Sequence, residues 1–199
     1  MIILYNIHVI KEIKFYFFTD KLDNIIIDNI LKFKKIAIIY ELKNNKEVNH
    51  NNLNIISKFC KKNNIKFYIS NSYKLVLKYK ANGIFITYDN KKNLNYINFQ
   101  KRLEIIGSAH NQIEYSLKVR QGCSTIMLSP IFYNKKYTQN NILGVLKFNL
   151  ISQYWRAKIC ALGGVNLNNF NKIKMTRATS VAFISLIKKG VIKKPTYYF

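Results

Sequence analysis

Two glycines stand side by side in the stretch KICALGGVNLNNF, Lys158 to Phe170, of a chain that holds only seven. A short apolar run, Ile159 to Leu162, leads into Gly163 and Gly164, and the Asn/Leu alternation behind them reads as a helix start. Paired glycines let a backbone turn sharply or lie close to a ligand. The N–H groups of such a turn, with a helix N-terminus behind them, bind an anion without a charged side chain. A tight turn that binds nothing has the same signature, so both readings stand. Other chemistry is thin. Cys60, Cys123 and Cys160 lie far apart with no metal-ligand spacing, and His8 and His50 have no evident partners. No Ser/His/Asp or Cys/His nucleophile arrangement, phosphate-binding Walker loop or zinc spacing occurs.

The elements that would carry the glycines alternate. Strands are predicted at 13–19, 35–42, 65–70, 82–87, 103–109, 124–132, 157–163 and 180–187. Helices are predicted between them at 22–34, 51–64, 72–80, 111–122, 143–154 and 166–174, with polar stretches at 89–102 and 133–142. The strands are continuously apolar, as in a parallel sheet covered on both faces. Eight such units predict a single α/β domain, residues 1–199, folded as a short (β/α)8 TIM barrel; a doubly wound open sheet is the alternative. In a barrel, chemistry sits at the C-terminal strand ends, and phosphate often sits in the loops after strands seven and eight. Gly163 and Gly164 fall at the end of strand seven, and Ile184 and Ser185, at the end of strand eight, would supply the other amides of a phosphate cup.

The formal charge is +24, from 33 Lys and Arg against 9 Asp and Glu. Such an excess points to nucleic acid or an anionic membrane surface. It is nearly all lysine, accompanied by much Asn and Ile, a composition that AT-rich coding produces. Arginine, which suits bidentate phosphate recognition, is confined to Arg102, Arg120, Arg156 and Arg177. The aromatic residues are interleaved with Ile and Val in strands and read as core, not as base-stacking platforms. No apolar run is long enough for a membrane span, and the charged residues of the first 18 positions argue against a signal peptide. Scattered cysteines suit a reducing compartment, hence a cytoplasmic protein.

Several stretches together resemble the thiamine phosphate synthase and thiazole tautomerase family. They are IGSAHNQIEYSLKVRQGCSTIMLSPIF (106–132), LGVLKFNLI (143–151), ALGGVNLNNF (161–170) and SVAFISLI (180–187), with FYISNSYKLVLKYKANGIFIT (67–87) matching in length. The resemblance covers about residues 35–190. It implies a (β/α)8 barrel that couples hydroxymethylpyrimidine diphosphate to a thiazole phosphate with the help of Mg2+.

Carried over residue by residue, the resemblance is uneven. Ser108 stands at a serine that contacts the diphosphate, and Gly163, Gly164, Ile184 and Ser185 stand at the thiazole-phosphate cup. The Gln-x-Arg-x-Lys of strand two is here Ile39, Glu41 and Lys43, so only the lysine remains. The Asn-Asp of strand three is Ser70 and Asn71: an amide replaces a metal-binding carboxylate. The second carboxylate falls near Asn90, with Asp89 one residue before it, which leaves Asn71 and Asp89 as the expected metal positions. The Thr-x-x-Lys after strand six becomes Asn134 and Tyr137, with Lys135 and Lys136 between as substitute cations for the diphosphate. His110 is expected to order the end of strand five. A tautomerase would carry a histidine near the end of strand six, where Ser129 stands, which disfavours that activity. Three functions follow: a divergent thiamine phosphate synthase, a weakened relative that binds a phosphate ester without turnover, and a basic nucleic-acid-binding protein. Small phosphorylated substrates are the expected partners of the first two, and a homo-oligomer is compatible with the barrel.

Overall fold

The computed structural model describes residues 14–42, 47–92, 103–134, 141–153, 157–183 and 187. Eight parallel strands close into a barrel in chain order: β1 (Lys14–Phe18), β2 (Ile36–Tyr40), β3 (Lys66–Ser70), β4 (Gly83–Ile86), β5 (Glu104–Ala109), β6 (Thr125–Leu128), β7 (Lys158–Leu162) and β8 (Ser180–Phe183). The ring closes through β1 and β8, with Lys14 beside Ser180 and Phe17 beside Phe183. Around it lie α1 (Asn24–Ile30), α2 (His50–Lys62), α3 (Tyr73–Lys78), α4 (Gln112–Arg120), α5 (Gly144–Ser152) and a 3-10 helix (Phe170–Met175).

Strand alternation divides the core in two. Tyr16, Phe18, Ala37, Ile39, Tyr68, Phe85, Ile106, Met127, Cys160, Leu162 and Ala182 pack together inside the barrel. The intervening strand residues, among them Phe17, Ile38, Ile69 and Val181, pack outward against Ile30, Leu53, Ile56 and Val76 of the helices. Each fully buried side chain of this size stabilises the fold by about 1.5–3 kcal/mol. Side chains cap four helix starts. Asp23, Asn49 and Asn111 accept from the N–H groups of Ile26, Asn52 and Glu114 at 2.8–2.9 Å, and Ser72 accepts from Leu75 at 3.4 Å.

The predicted barrel is the observed one, with three elements shorter or different. Strand six stops at Leu128 rather than continuing to 132, because Pro130 has no N–H for a ladder. The first helix ends at Ile30, where Lys32 and Phe33 donate to Asn29 and Ile30 in a tightened turn. The helix predicted at 166–174 is the 3-10 helix, which begins only at Phe170. Ahead of it, the Asn166 and Asn169 side chains take the N–H groups of Asn168 and Asn166, both at 2.9 Å, and so compete with helix formation.

Candidate functional site at the C-terminal mouth

At the end of β7 the chain turns through Gly163 (φ 87°) and Gly164 (φ 72°), both in the left-handed region. The turn is pinned to the segment after β6. Ile131 N–H donates to Leu162 O at 2.9 Å and Phe132 N–H to Gly163 O at 3.1 Å. A Cβ on Gly163 would lie 3.0 Å from Pro130, and one on Gly164 would lie 2.2 Å from the Phe132 carbonyl oxygen. Gly164 is therefore required by packing as well as by dihedral angle, and Gly163 by dihedral angle in a tightly packed position. Asn169 Nδ2 holds the Gly164 carbonyl at 2.8 Å. The two glycine N–H groups donate to no acceptor among the described residues.

The ends of β3 and β4 are cross-linked. Ser70 is fully buried, and its Oγ accepts from Leu42 N–H at 2.6 Å. Asn71 follows in a left-handed conformation (φ 51°) that asparagine tolerates better than most residues. Its Oδ1 accepts from Thr87 N–H at 3.2 Å and from Asn90 Nδ2 at 3.1 Å, while its Nδ2 donates to Thr87 Oγ1 at 2.7 Å. Asn90 Oδ1 accepts from Lys92 N–H at 3.0 Å. The residue that meets Asn71 is thus Asn90; Asp89 is exposed in the adjacent turn.

Sequence reasoning missed what anchors that loop. Lys118 of α4 is fully buried and donates to Asn90 O at 2.8 Å and Gln121 Oε1 at 3.0 Å. Gln121 Nε2 donates to Asn90 O at 3.0 Å and Lys92 O at 2.7 Å. Burial lowers the Lys118 ammonium from its ordinary range, and the neighbouring Cys123, Asp89 and Glu114 oppose the shift. The helix pattern concealed this arrangement, since Ile113 is 80% exposed while Lys118, five residues on, is inside.

Ser108 is buried near the C-terminal end of β5, two residues beyond the inward-facing Ile106. His110, expected to order that strand end, meets Glu114 in the first turn of α4. Its N–H and Nδ1 lie 2.7 and 3.1 Å from Glu114 Oε2, and its ring meets Tyr88 edge-on with centroids 4.3 Å apart. Asn134 is half-buried beyond β6, Ser129 is buried beside the glycine turn, and Glu41 is half-buried just after β2. Lys43, Lys135, Lys136, Ile184 and Ser185 lie outside the described residues. The described predicted residues Ser70, Asn71, Asp89, Ser108, Asn134, Gly163 and Gly164 all sit at or beyond C-terminal strand ends, on one face of the barrel.

The donor chemistry here does not suit magnesium. The ion takes an octahedron of hard oxygens, usually with one or two carboxylates. Asn71 Oδ1 already accepts two hydrogen bonds, and its partner is another amide. No group of three or more His, Cys, Asp and Glu side chains able to hold a metal ion occurs among the described residues. The described helices include none long and apolar enough to cross a membrane.

Comparisons with known proteins agree with this architecture. The family model for thiamine monophosphate synthase matches residues 16–187. The chain is 29% identical over 184 residues to the thiamine-phosphate synthase of Prochlorococcus marinus subsp. pastoris, covering 89% of this chain and 52% of that protein. It therefore spans about half the length of that relative, at 52%. It is 28% identical over 173 residues to the thiamine-phosphate synthase of Pelagibacter ubique, covering 83% of this chain and 82% of that one. Among solved structures, the thiamine phosphate pyrophosphorylase of Pyrococcus furiosus superposes with a TM-score of 0.71 at 18% identity, over 88% of this chain and 87% of its own. With a closed eight-stranded barrel and a family match that runs from β1 to beyond β8, the chain belongs to the thiamine monophosphate synthase family.

Proposed function

We propose that the chain is a divergent thiamine phosphate synthase. It would couple hydroxymethylpyrimidine diphosphate to a thiazole phosphate and release thiamine phosphate and diphosphate. The observation that carries the reading is the Gly163–Gly164 turn, whose two N–H groups donate to nothing among the described residues, at the end of the seventh strand, where such barrels frequently hold phosphate. The bond between the pyrimidine methylene carbon and the diphosphate oxygen breaks, both electrons leave with diphosphate, and the thiazole nitrogen forms the new C–N bond. Gly163 and Gly164, with Ile184 and Ser185, hold the thiazole phosphate through backbone amides. Ser70, Asn134, Lys135 and Lys136 serve the diphosphate, and Lys43 and Ser108 stabilise charge as it departs. Ser70 Oγ, buried at the end of β3, accepts from Leu42 N–H and donates to nothing among the described residues. No step here runs through a metal. The reading implies small phosphorylated substrates, a cytoplasmic setting and no nucleic-acid partner.

A second reading, binding of a phosphate ester without turnover, is favoured by the two amides at Asn71 and Asn90. One assay separates them: purified protein with both precursors and Mg2+, reading thiamine phosphate, beside a Ser108→Ala variant. A glycine-turn variant is a poor control, because a Cβ on Gly164 meets backbone at 2.2 Å. The synthase reading expects turnover that falls about a hundredfold in Ser108→Ala, the cost of one lost donor to a developing anion. Thiazole phosphate bound calorimetrically without turnover establishes the second reading. Neither binding nor turnover refutes both.

A further inference from the structure

We infer that the Asn71–Asn90 amide pair replaces a metal bridge between the loops after β3 and β4, so that these two positions hold no divalent cation. What the two positions would otherwise hold rests on the family reading; what they do here rests on the hydrogen bonds.

Two carboxylates and one divalent cation sum to zero charge, and so do two amides. The exchange leaves an incoming phosphate facing the same net charge on this side of the mouth. The mechanical role is also replaced. A metal would tie the two loops through shared ligands; here Asn90 Nδ2 donates to Asn71 Oδ1 across 19 residues, at 3.1 Å. The tie is braced on both sides. Thr87 N–H takes a second site on Asn71 Oδ1 at 3.2 Å, and Thr87 Oγ1 accepts from Asn71 Nδ2 at 2.7 Å. Behind it, Lys118 and Gln121 both hold the Asn90 carbonyl, at 2.8 and 3.0 Å. A cation at Asn71 Oδ1 would have to break the Asn90 or Thr87 bond and would gain only a neutral ligand. Asp89, the nearest carboxylate in sequence, is exposed and belongs to no metal-competent cluster among the described residues.

The test reads metal uptake and thermal unfolding, not coupling, so it is independent of whether the chain turns over substrate. Mn2+ is titrated into the full chain and followed by electron paramagnetic resonance, for wild type and for the Asn71→Asp/Asn90→Asp double variant. Wild type is expected to take up no Mn2+ that an Asn71→Ala variant loses. The double variant is expected to bind Mn2+ at least about tenfold more tightly than wild type. Its melting temperature is expected to fall in EDTA and recover with Mg2+, while wild type is indifferent to both. Should the double variant not fold, Asn71→Asp alone, with the same two readouts, takes its place. Wild-type Mn2+ uptake abolished by Asn71→Ala overturns the inference. So does failure of the aspartate variant to bind metal, since the positions would then have no metal-bridging geometry to replace.

Discussion

The Cβ of any residue placed at Gly164 would fall 2.2 Å from the carbonyl oxygen of Phe132, in the segment that follows the neighbouring strand. Gly144 also has a positive φ, of 61°, but has nothing within 4 Å of the same Cβ position. The pair forms a controlled comparison. Gly144→Ala is expected to cost only the left-handed backbone term, about 1–2 kcal/mol. Gly164→Ala adds displacement of a backbone segment and is expected to cost about 2–5 kcal/mol in all. Urea unfolding of the two variants checks the order; equal losses would mean that the turn relaxes freely.

Lys118 supports the loop that carries Asn90, and its charge is held in a buried site. Lys118→Met removes the donor but leaves Gln121 on the same carbonyl, so the expected loss is about 1–3 kcal/mol at neutral pH. The pH dependence has a definite sign. Burial lowers the Lys118 ammonium, so the folded state binds this proton less tightly than the unfolded state does. The group's penalty is complete below its folded value and shrinks as pH rises toward the unfolded value of about 10.4. The stability gap between wild type and Lys118→Met should therefore widen in wild type's favour with rising pH across that window.

Glu104 gives the opposite limb, at the N-terminal end of the barrel. Burial disfavours its charge, but hydrogen bonds from Lys66 and Tyr68 and the nearby Lys14 outweigh that and hold its carboxyl below the ordinary value. The Tyr68 hydroxyl donates to Glu104 Oε2 at 2.6 Å, and Lys66 pairs with Oε1. A depressed carboxyl contributes stability that is present above its unfolded value, about 4.3, and is lost as pH falls through the folded value. Glu104→Gln should flatten this part of the acid limb in denaturant titrations. An unchanged acid limb would show that the pair contributes nothing.

Cys60, Cys123 and Cys160 are all free and buried. Burial pushes each thiol up to about 12, so little thiolate exists at neutral pH. A chromogenic disulfide reagent should label none of the three in the folded protein and all three in denaturant. Rapid labelling of one under native conditions would locate a site of local opening.

Much of the fold was legible because its signals are local. Continuous apolar strands separated by segments with apolar residues at helical spacing define alternating β and α units, and eight of them leave few architectures. The boundaries that slipped did so for reasons beyond periodicity. Pro130 ended a strand whose apolar run continues to Phe132, and Asn166 and Asn169 spent their side chains on the backbone where a helix was expected. For the site, Ser70, Asn71 and Ser108 came from the family resemblance, whereas Gly163–Gly164 stood out by type and position. Lys118 and Gln121 did not, because a lysine on a helix with an exposed Ile113 carries no mark of burial in its own neighbourhood.

Through the family resemblance the sequence set amides in place of carboxylates after the third and fourth strands; by itself it determined the number and order of the units and the glycine turn after the seventh. These follow from residue type and spacing along the chain. Only the tertiary structure decided what meets what. Barrel closure brings Asn71 and Asn90 to 3.1 Å and sets Gly164 under Phe132, 32 residues earlier in the chain. It also lets α4 place a buried ammonium on the Asn90 carbonyl. Such contacts depend on strand register and helix rotation, which the burial of the whole core sets cooperatively and no local stretch encodes.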